Sequence, residues 1–248
     1  MKSTLQKVME KAIPRVSLNV GLMRVIFILL LTSSTLVSVA RGSSKQVWLD
    51  YNPGWNISEK TRFALDLGLR KQIQDQGYLR LVLNPGLDTR VNKFKFAAGV
   101  ANFLTLNEVV DDRWEIRPYQ SVSAIWPNRR VSLDHRVRLE ERFDFNTTTW
   151  DSKNSLRGRY RLRLRYRLAA YQEDRFWSLT ASGEIFSTLA GQEGQHRETT
   201  RVGLGAERTF KHGQRLRFEV TWQQQGLIYD PDVTADLIFL RIRFLRSW

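Results

Sequence analysis

Cysteine is absent from this chain of 248 residues, and histidine occurs only three times. The chain therefore has no disulfides. The absence does not by itself indicate a reducing compartment, but it suits a protein exported through an oxidising one, where a free thiol is a liability. After residue 40 no segment shows a sustained helical period, which argues against a helical domain.

Acidic residues are in deficit, with 25 Asp and Glu against 39 Lys and Arg, and the formal net charge is +14. So basic a chain raises nucleic acid as a partner. A nucleic-acid surface gathers its basic residues on a helix or an exposed patch, whereas here they alternate with apolar residues. We therefore expect no nucleic-acid partner.

Residues 1–40 have a composition of their own. Five basic residues precede the apolar run 25–31, and small residues follow as far as Ser38 and Ala40. This order is typical of a secretory signal, and it predicts cleavage after Ala40 and a mature domain at 41–248. The alternative is a retained anchor, but the apolar run is far shorter than the roughly 20 residues that span a bilayer.

The true start of the chain is open between Met1 and Met23. Translation from Met23 leaves a compact signal of ordinary length, because the basic Arg24 and the apolar run follow at once. Removal of residues 1–40 lowers the formal charge from +14 to +10.

Arginine occupies each odd position from Arg157 to Arg167, and a large apolar residue or glycine occupies each even position between them. Only a β-strand presents this pattern as two clean faces. Repeated segments of about ten residues with such alternation are typical of a transmembrane β-barrel, with apolar side chains toward lipid and polar ones toward the lumen.

Strand periodicity recurs in eleven segments. They are 46–57, 61–70, 78–89, 93–103, 114–126, 131–143, 156–168, 176–186, 198–210, 215–223 and 234–248. Bacterial single-chain barrels normally have an even number of strands. Either the irregular first segment does not span fully, leaving ten good strands, or two segments are merged and the count is twelve. We predict a closed antiparallel barrel of ten to twelve strands.

Connections of two lengths alternate along the chain. Short links at 90–92, 127–130, 169–174 and 211–214 alternate with longer ones at 104–113, 144–155, 187–197 and 224–233. Outer-membrane barrels have short periplasmic turns and longer extracellular loops, so the longer set is expected to face outward and the carboxy terminus the periplasm. This predicts a bacterial outer-membrane protein.

Charges on the lipid-facing parity lie near segment ends. Glu141 and Glu198 fall near the predicted outer ends, and Arg208 and Arg246 near the periplasmic ends, which is where a charge facing lipid costs least. Aromatic residues also lie near segment ends, as in an aromatic girdle: Trp48, Trp114, Trp126, Tyr171, Trp177 and Trp248.

The last segment places Ile242, Phe244 and Trp248 on one parity and ends on an aromatic residue. That ending resembles the carboxy-terminal signal of outer-membrane barrels, although phenylalanine is the familiar residue there. The resemblance implies the barrel assembly machinery and periplasmic chaperones as partners during biogenesis, and outer-membrane lipid afterwards. The alternative is an ordinary amphipathic edge strand.

Several stretches resemble the bacterial domain-of-unknown-function family 2490. They are residues 48–55, 117–120, 133–143 and the arginine-tyrosine strand from Arg157 onward. The most specific is the His-Arg-x-Arg-Leu-Glu-x-Arg-Phe sequence that begins at His135. The resemblance covers nearly the whole mature chain and implies an outer-membrane β-barrel, and the family carries no established activity.

The polar faces are expected to line the lumen, and arginine dominates them. The predicted lining residues are Arg136, Arg138, Glu140, Arg142, Arg157, Arg159, Arg161, Arg163, Arg165, Arg167, Glu184, Arg201, Glu207, Arg215, Arg217, Glu219, Arg241 and Arg243. Two functions remain open. One is a narrow anion-preferring channel or a barrel that binds a small anionic solute. The other is a structural or interaction barrel whose lumen is occluded by an Arg/Glu network.

A lipid-modifying enzyme is the third hypothesis. His135 has lipid-facing parity, whereas Ser121 and Ser123 have the opposite one, so no Ser/His pair converges. We expect no catalytic residues, no cofactor and no metal site. The Asp111-Asp112 and 230–232 acids resemble ordinary loop residues, with surface calcium as the alternative.

Overall fold

Eleven β-strands make up the described part of the chain, which in this computed structural model comprises residues 44–73, 77–127, 130–168, 175–191, 196–227 and 234–248. They are β1 (Ser44–Asn56), β2 (Thr61–Gln72), β3 (Tyr78–Val91), β4 (Phe94–Asn107), β5 (Arg113–Pro127), β6 (Val131–Asn146), β7 (Ser152–Arg167), β8 (Phe176–Gly191), β9 (His196–Thr209), β10 (Arg215–Leu227) and β11 (Thr234–Ser247). Within these ranges no helix is long and apolar enough to cross a membrane.

Each strand pairs antiparallel with its sequence neighbours, and β1 pairs with β11 to close the barrel. The closing pair is parallel, in a register from Ser44 opposite Leu237 to Gly54 opposite Ser247. With an odd number of alternating strands, β1 and β11 run in the same direction and pair in parallel. The predicted closed all-β barrel is confirmed with eleven strands, and its sheet is mixed because this one seam departs from the expected antiparallel pairing.

The seam is joined by three stacked aromatic pairs. Their ring centroids lie 3.8 Å apart for Trp48 and Phe239, 5.8 Å for Tyr51 and Phe244, and 5.2 Å for Trp55 and Trp248. Trp48 is only 5% exposed and faces the interior, so its assignment to the outer girdle is wrong. Pro53 and Gly54 hide the alternation of β1 in the sequence, but the strand is continuous and its residues 46, 48 and 50 point inward.

The two ends of the barrel differ in their connections. We call the end that carries the β2–β3, β4–β5, β6–β7, β8–β9 and β10–β11 connections the loop end, and the opposite end the turn end. Strands are longer than predicted, so the β4–β5 connection is 108–112 and the β6–β7 connection 147–151. The predicted alternation of short and long connections is wrong at β7–β8, because this turn-end connection comprises 168–175 and is longer than any connection at the loop end.

The β6–β7 and β4–β5 connections are tied together at the loop end. Asp111 accepts hydrogen bonds from Asn146 Nδ2 at 2.8 Å and from Thr148 Oγ1 at 3.1 Å, which lower the pKa of its carboxyl group. Asp112 Oδ1 accepts the backbone N–H of Asn107 at 2.8 Å. These contacts give Asp111 and Asp112 a local structural role.

Apolar side chains cover the outside of the barrel and charged ones fill the inside. On β7, Leu162 and Leu164 are 37% and 43% exposed, whereas the neighbouring Arg161 and Arg163 point inward. The apolar core of the described residues is one small cluster of Val82, Ala101 and Phe103. Such an inverted distribution is characteristic of a barrel whose outer wall meets an apolar medium.

Several sequence predictions lie outside the described residues. They include the signal segment 1–40 with Ser38 and Ala40, both starts at Met1 and Met23, Tyr171 and the acids of 230–232. The side chains of His196 and Glu198 are outside the described part as well. All of these stay predictions.

Candidate functional site in the barrel interior

A cavity of about 550 Å³ occupies the barrel interior from Arg163 and Arg243 up to Gln46 and Gln223 near the loop end. Its wall contains these predicted lumen residues: Arg136, Arg138, Glu140, Arg142, Arg157, Arg159, Arg161, Arg163, Glu184, Arg201, Glu219, Arg241 and Arg243. Thirteen arginines and five carboxylates line it, and three further carboxylates, Asp50, Glu115 and Asp134, pair with lining arginines, so arginines exceed these eight carboxylates by five. The cavity is therefore strongly electropositive.

The remaining predicted lumen residues lie below the cavity, toward the turn end. Glu207 has no exposed side-chain surface, and Arg165 Nη2 lies 2.6 Å from one of its oxygens. Arg217 donates to the other oxygen, and Arg215 lies 3.8 Å away. This Glu207 cluster occupies the interior near the turn end. Arg167 stacks on Phe176, with its guanidinium 3.8 Å from the ring centroid.

Glu140 is a shared carboxylate at one side of the cavity. Arg157 Nη2 donates to Glu140 Oε2 at 2.5 Å, and Arg159 Nη1 donates to Oε1. Arg138 lies 3.6 Å from the same carboxylate. Because Glu140 is nearly buried, these charge-assisted hydrogen bonds fix the neighbouring guanidinium groups in place.

Glu184, on β8, is the second shared carboxylate. Nη2 atoms of Arg136 and Arg159 each lie 3.0 Å from its Oε1, and Arg201 lies 3.6 Å from Oε2. Arg159 thus bridges Glu140 and Glu184. The network thereby connects β6, β7, β8 and β9, from Arg136 to Arg201.

Like charges face each other within this network. On β6 and β7, Arg136 lies directly opposite Arg161, and Arg138 directly opposite Arg159. Directly opposed like charges destabilise a sheet. Several buried guanidinium N–H donors also have no acceptor among the described residues, and these are the Nε atoms of Arg70, Arg136, Arg138, Arg159, Arg161, Arg163 and Arg243. Five buried acceptor oxygens are unpaired as well, and these are the Oδ1 atoms of Asp50, Asn52, Asn84, Asp134 and Asp236. The site therefore has positive charge in excess, together with seven guanidinium donors that its own acceptors do not satisfy.

Several carboxylates missing from the predicted lining set also belong to the interior network, and one is Asp134 on β6, whose Oδ2 lies 3.4 Å from Arg161 Nη2. Asp50 on β1 accepts a hydrogen bond from Arg241 Nε and lies 3.6 Å from Arg243. Glu115 on β5 lies 2.5 Å from Arg117 Nη2 and 2.6 Å from Arg142 Nε. Asp50 and Glu115 both lie at inward-facing positions of their strands, and this parity could have identified them from the sequence. For Asp50 the irregular alternation of the first segment obscured the parity.

Arg70, also missed by the sequence analysis, has an unusual environment. Its guanidinium lies 4.0 Å from the Trp48 ring, whose other neighbour is the stacked Phe239. Arg80 lies directly opposite Arg70 on β3 and donates from Nε to Thr105 Oγ1 at 2.7 Å. Neither arginine forms an ion pair with a described carboxylate. The Arg70 guanidinium, held against Trp48, therefore has N–H donors available for a ligand.

Other arginine heads of the cavity also lie against aromatic rings. Arg117 lies 4.1 Å from the Phe103 ring centroid, and Arg138 lies 4.0 Å from that of Tyr119. Stacking limits the motion of a guanidinium group without using its edge N–H groups. Those of Arg117 donate to Glu115, whereas Arg138 Nε has no acceptor among the described residues. The arrangement therefore suits binding of anionic oxygen atoms in the plane of the guanidinium.

The residues considered for catalysis lie on opposite faces of the wall. His135 Nδ1 is 2.6 Å from Tyr160 Oη on the outer face, beside Trp126. Ser121 and Ser123 are buried inside the barrel. Among the described residues no group of His, Cys, Asp and Glu is arranged to hold a metal ion.

A closed eleven-stranded barrel with a buried Arg/Glu network defines the class of this protein. Residues 45–230, most of the chain, match the model of the family described as "Protein of unknown function (DUF2490)". The chain belongs to this family, as the resemblance indicated. No curated protein matches the chain.

Proposed function

We propose that this barrel lies in the bacterial outer membrane and holds a small multivalent anion in its arginine-lined cavity. The observation that carries the proposal is the excess of five arginines on the cavity wall over the carboxylates that line it or pair with its arginines. An anion there would accept hydrogen bonds from guanidinium groups and relieve the repulsion between Arg136 and Arg161. The proposal is of a binding protein and involves no reaction.

The outer wall supports the membrane location. Strands of 12 to 16 residues are long enough to cross a bilayer, for which tilted strands of about 9–11 residues suffice. Trp114, Trp126, Trp177 and Trp248 are all exposed near strand ends, as residues of interfacial girdles are.

The carboxy-terminal strand supports assembly by the outer-membrane machinery. Phe244 and Trp248 are 37% and 45% exposed on the outer side of the barrel, and Ile242 shares their parity. Residues of an assembly signal must be accessible on one face of the strand, and these three satisfy that requirement.

The Glu207 cluster favours binding over conduction. Glu207 and Arg217 are buried below the cavity, and neither lines it. The space accessible to a solute therefore ends within the barrel, and a ligand would enter from the loop end. In planar bilayers we accordingly expect the wild-type protein to pass negligible current. A steady anion-selective current would contradict this expectation and indicate that the barrel is an anion channel.

A structural barrel with an occluded lumen is the second candidate. It is favoured by the ion pairs that Glu140 and Glu184 already make with arginines. The two candidates differ in the role of the guanidinium N–H donors that have no acceptor. A binding barrel uses these donors to hold its ligand, whereas an occluded barrel has no role for them.

Calorimetric titration of the detergent-folded protein with pyrophosphate distinguishes the candidates. The double variant Arg136→Gln/Arg161→Gln should bind at least about tenfold more weakly, because charged hydrogen bonds are lost. The control Lys45→Gln/Lys71→Gln removes two charges from outside the cavity and should bind within about twofold of the wild type. Unheated gel migration verifies folding of each variant. Absence of pyrophosphate binding by the wild type would leave the structural barrel standing.

A further inference from the structure

The turn end carries a ring of basic residues that has no part in the cavity. This turn-end cation ring consists of Lys60, Arg90, Lys93, Arg130, Arg175, Arg208, Lys211 and Arg246. The residues lie in every connection at this end or in the last residues of β3, β9 and β11, so they are distributed around the barrel. Glu59 is the one exposed acidic residue that the described chain places there.

No ion pair of the described residues includes a member of this ring. The loop end differs, because two of its basic residues have acidic partners. Lys71 lies 2.9 Å from Glu108, and Arg113 lies 2.6 Å from Asp144. The two ends of the barrel therefore present different charge to their surroundings.

Tryptophan side chains lie directly beside the ring on the outer wall. The Arg208 guanidinium is 5.5 Å from the Trp177 ring, and that of Arg246 is 4.4 Å from Trp248. Trp248 in turn stacks on Trp55. Arginine beside exposed tryptophan is the combination found at the depth of lipid headgroups. There the indole of tryptophan is half-embedded in the bilayer, and the guanidinium of arginine reaches the polar headgroup layer.

We propose that the turn-end cation ring binds the phosphate groups of anionic phospholipids in the leaflet at that end of the barrel. Charge distributed around a whole circumference matches a planar layer of headgroups, whereas a globular partner or a nucleic acid would contact one sector. The inference rests on the proposed membrane location and is independent of the cavity. In the proposed orientation the ring faces the periplasmic leaflet.

Tryptophan quenching by brominated lipids tests the inference. The full barrel is folded into phosphatidylcholine vesicles that contain brominated phosphatidylcholine or brominated phosphatidylglycerol, and the ratio of the two lipid binding constants is measured. The wild type should prefer phosphatidylglycerol by about fivefold or more. The variant Lys60→Gln/Arg90→Gln/Lys93→Gln/Lys211→Gln should lose most of that preference.

The matched control removes four cations from the loop end, as Lys45→Gln/Lys71→Gln/Arg113→Gln/Lys153→Gln, and should keep the preference. Equal loss in both variants, or no preference in the wild type, would overturn the inference while leaving a membrane barrel in place. Failure of the wild type to insert into either vesicle would overturn the membrane location together with it.

Discussion

Single carboxylates hold several arginines together inside this barrel. Glu207 is the extreme case, since it has no exposed side-chain surface and lies within 4 Å of three arginines. Burial makes the desolvation of all these charges costly, and the pairing offsets that cost only while every partner is present. Removal of the shared carboxylate leaves three like charges together in a confined space.

We therefore expect Glu207→Gln to lower the free energy of unfolding by about 3–5 kcal/mol, the usual effect of breaking a buried ion pair. Glu141→Gln is the control, because Glu141 is exposed on the outer wall, and it should change stability little. Urea unfolding of the detergent-folded barrels, followed by tryptophan fluorescence, measures both. Equal stability of Glu207→Gln and wild type would show that water replaces the carboxylate at the turn end.

Strands β3, β4 and β5 depend on close packing around two glycines. Tyr119 on β5 covers Gly86 and Gly99, and a Cβ atom at Gly99 would lie 2.6 Å from Tyr119 Oη and 2.5 Å from the carbonyl oxygen of Pro85. Pro85 donates no backbone hydrogen bond, so this part of the wall has a weakened ladder. Tyrosine over glycine supplies packing where the backbone pairing is interrupted.

Gly99→Ala should destabilise the barrel by about 1–3 kcal/mol, because the methyl group forces Tyr119 or the backbone to move. Gly183→Ala provides a matched control, since a Cβ at Gly183 meets no atom within 4 Å. That variant should be neutral or slightly more stable. The temperature at which the folded band of an unheated gel converts to the unfolded band measures the difference. A neutral Gly99→Ala would mean that the Tyr119 ring moves aside freely.

At the scale of the whole molecule, the odd number of strands decides at which end of the barrel β1 begins and at which end β11 finishes. Because β1 and β11 run in parallel, Ser44 lies at the loop end and Ser247 at the turn end. A barrel with an even number of strands would have both termini at one end. In the proposed orientation β1 therefore starts at the cell surface, beside the mouth of the cavity.

Because the natural chain has no cysteine, single cysteines can report this topology. A membrane-impermeant maleimide applied to intact cells should label Lys45→Cys and Val109→Cys, which are at the loop end. Ser58→Cys, at the turn end, should react only after the outer membrane is permeabilised. The reverse pattern for Val109 and Ser58 would invert the orientation, and labelling of Lys45 together with Ser58 would contradict the parallel seam.

The alternation of residue types was enough to predict the strands and the faces on which their side chains lie. Successive side chains of an extended backbone point to opposite sides, so parity alone assigns Arg161 to the interior and Leu162 to the outer wall. The same local rule gave eleven segments, although the preference for even barrels argued against that count. Deviations occurred where proline and glycine interrupt the pattern, as at Pro53 and Gly54, and there Asp50 and Trp48 were misjudged.

Only the tertiary structure decided how the barrel closes and which charges meet. Asp50 pairs with Arg241, 191 residues further along the chain, and Glu184 pairs with Arg136 on a strand that is not its neighbour. Such contacts depend on the register at the parallel seam and on the width of the lumen, neither of which periodicity contains. Composition and parity determined an arginine-rich interior, whereas closure of the ring decided that a cavity lies above the Glu207 cluster, because long side chains reach partners across the lumen only once the ring is closed.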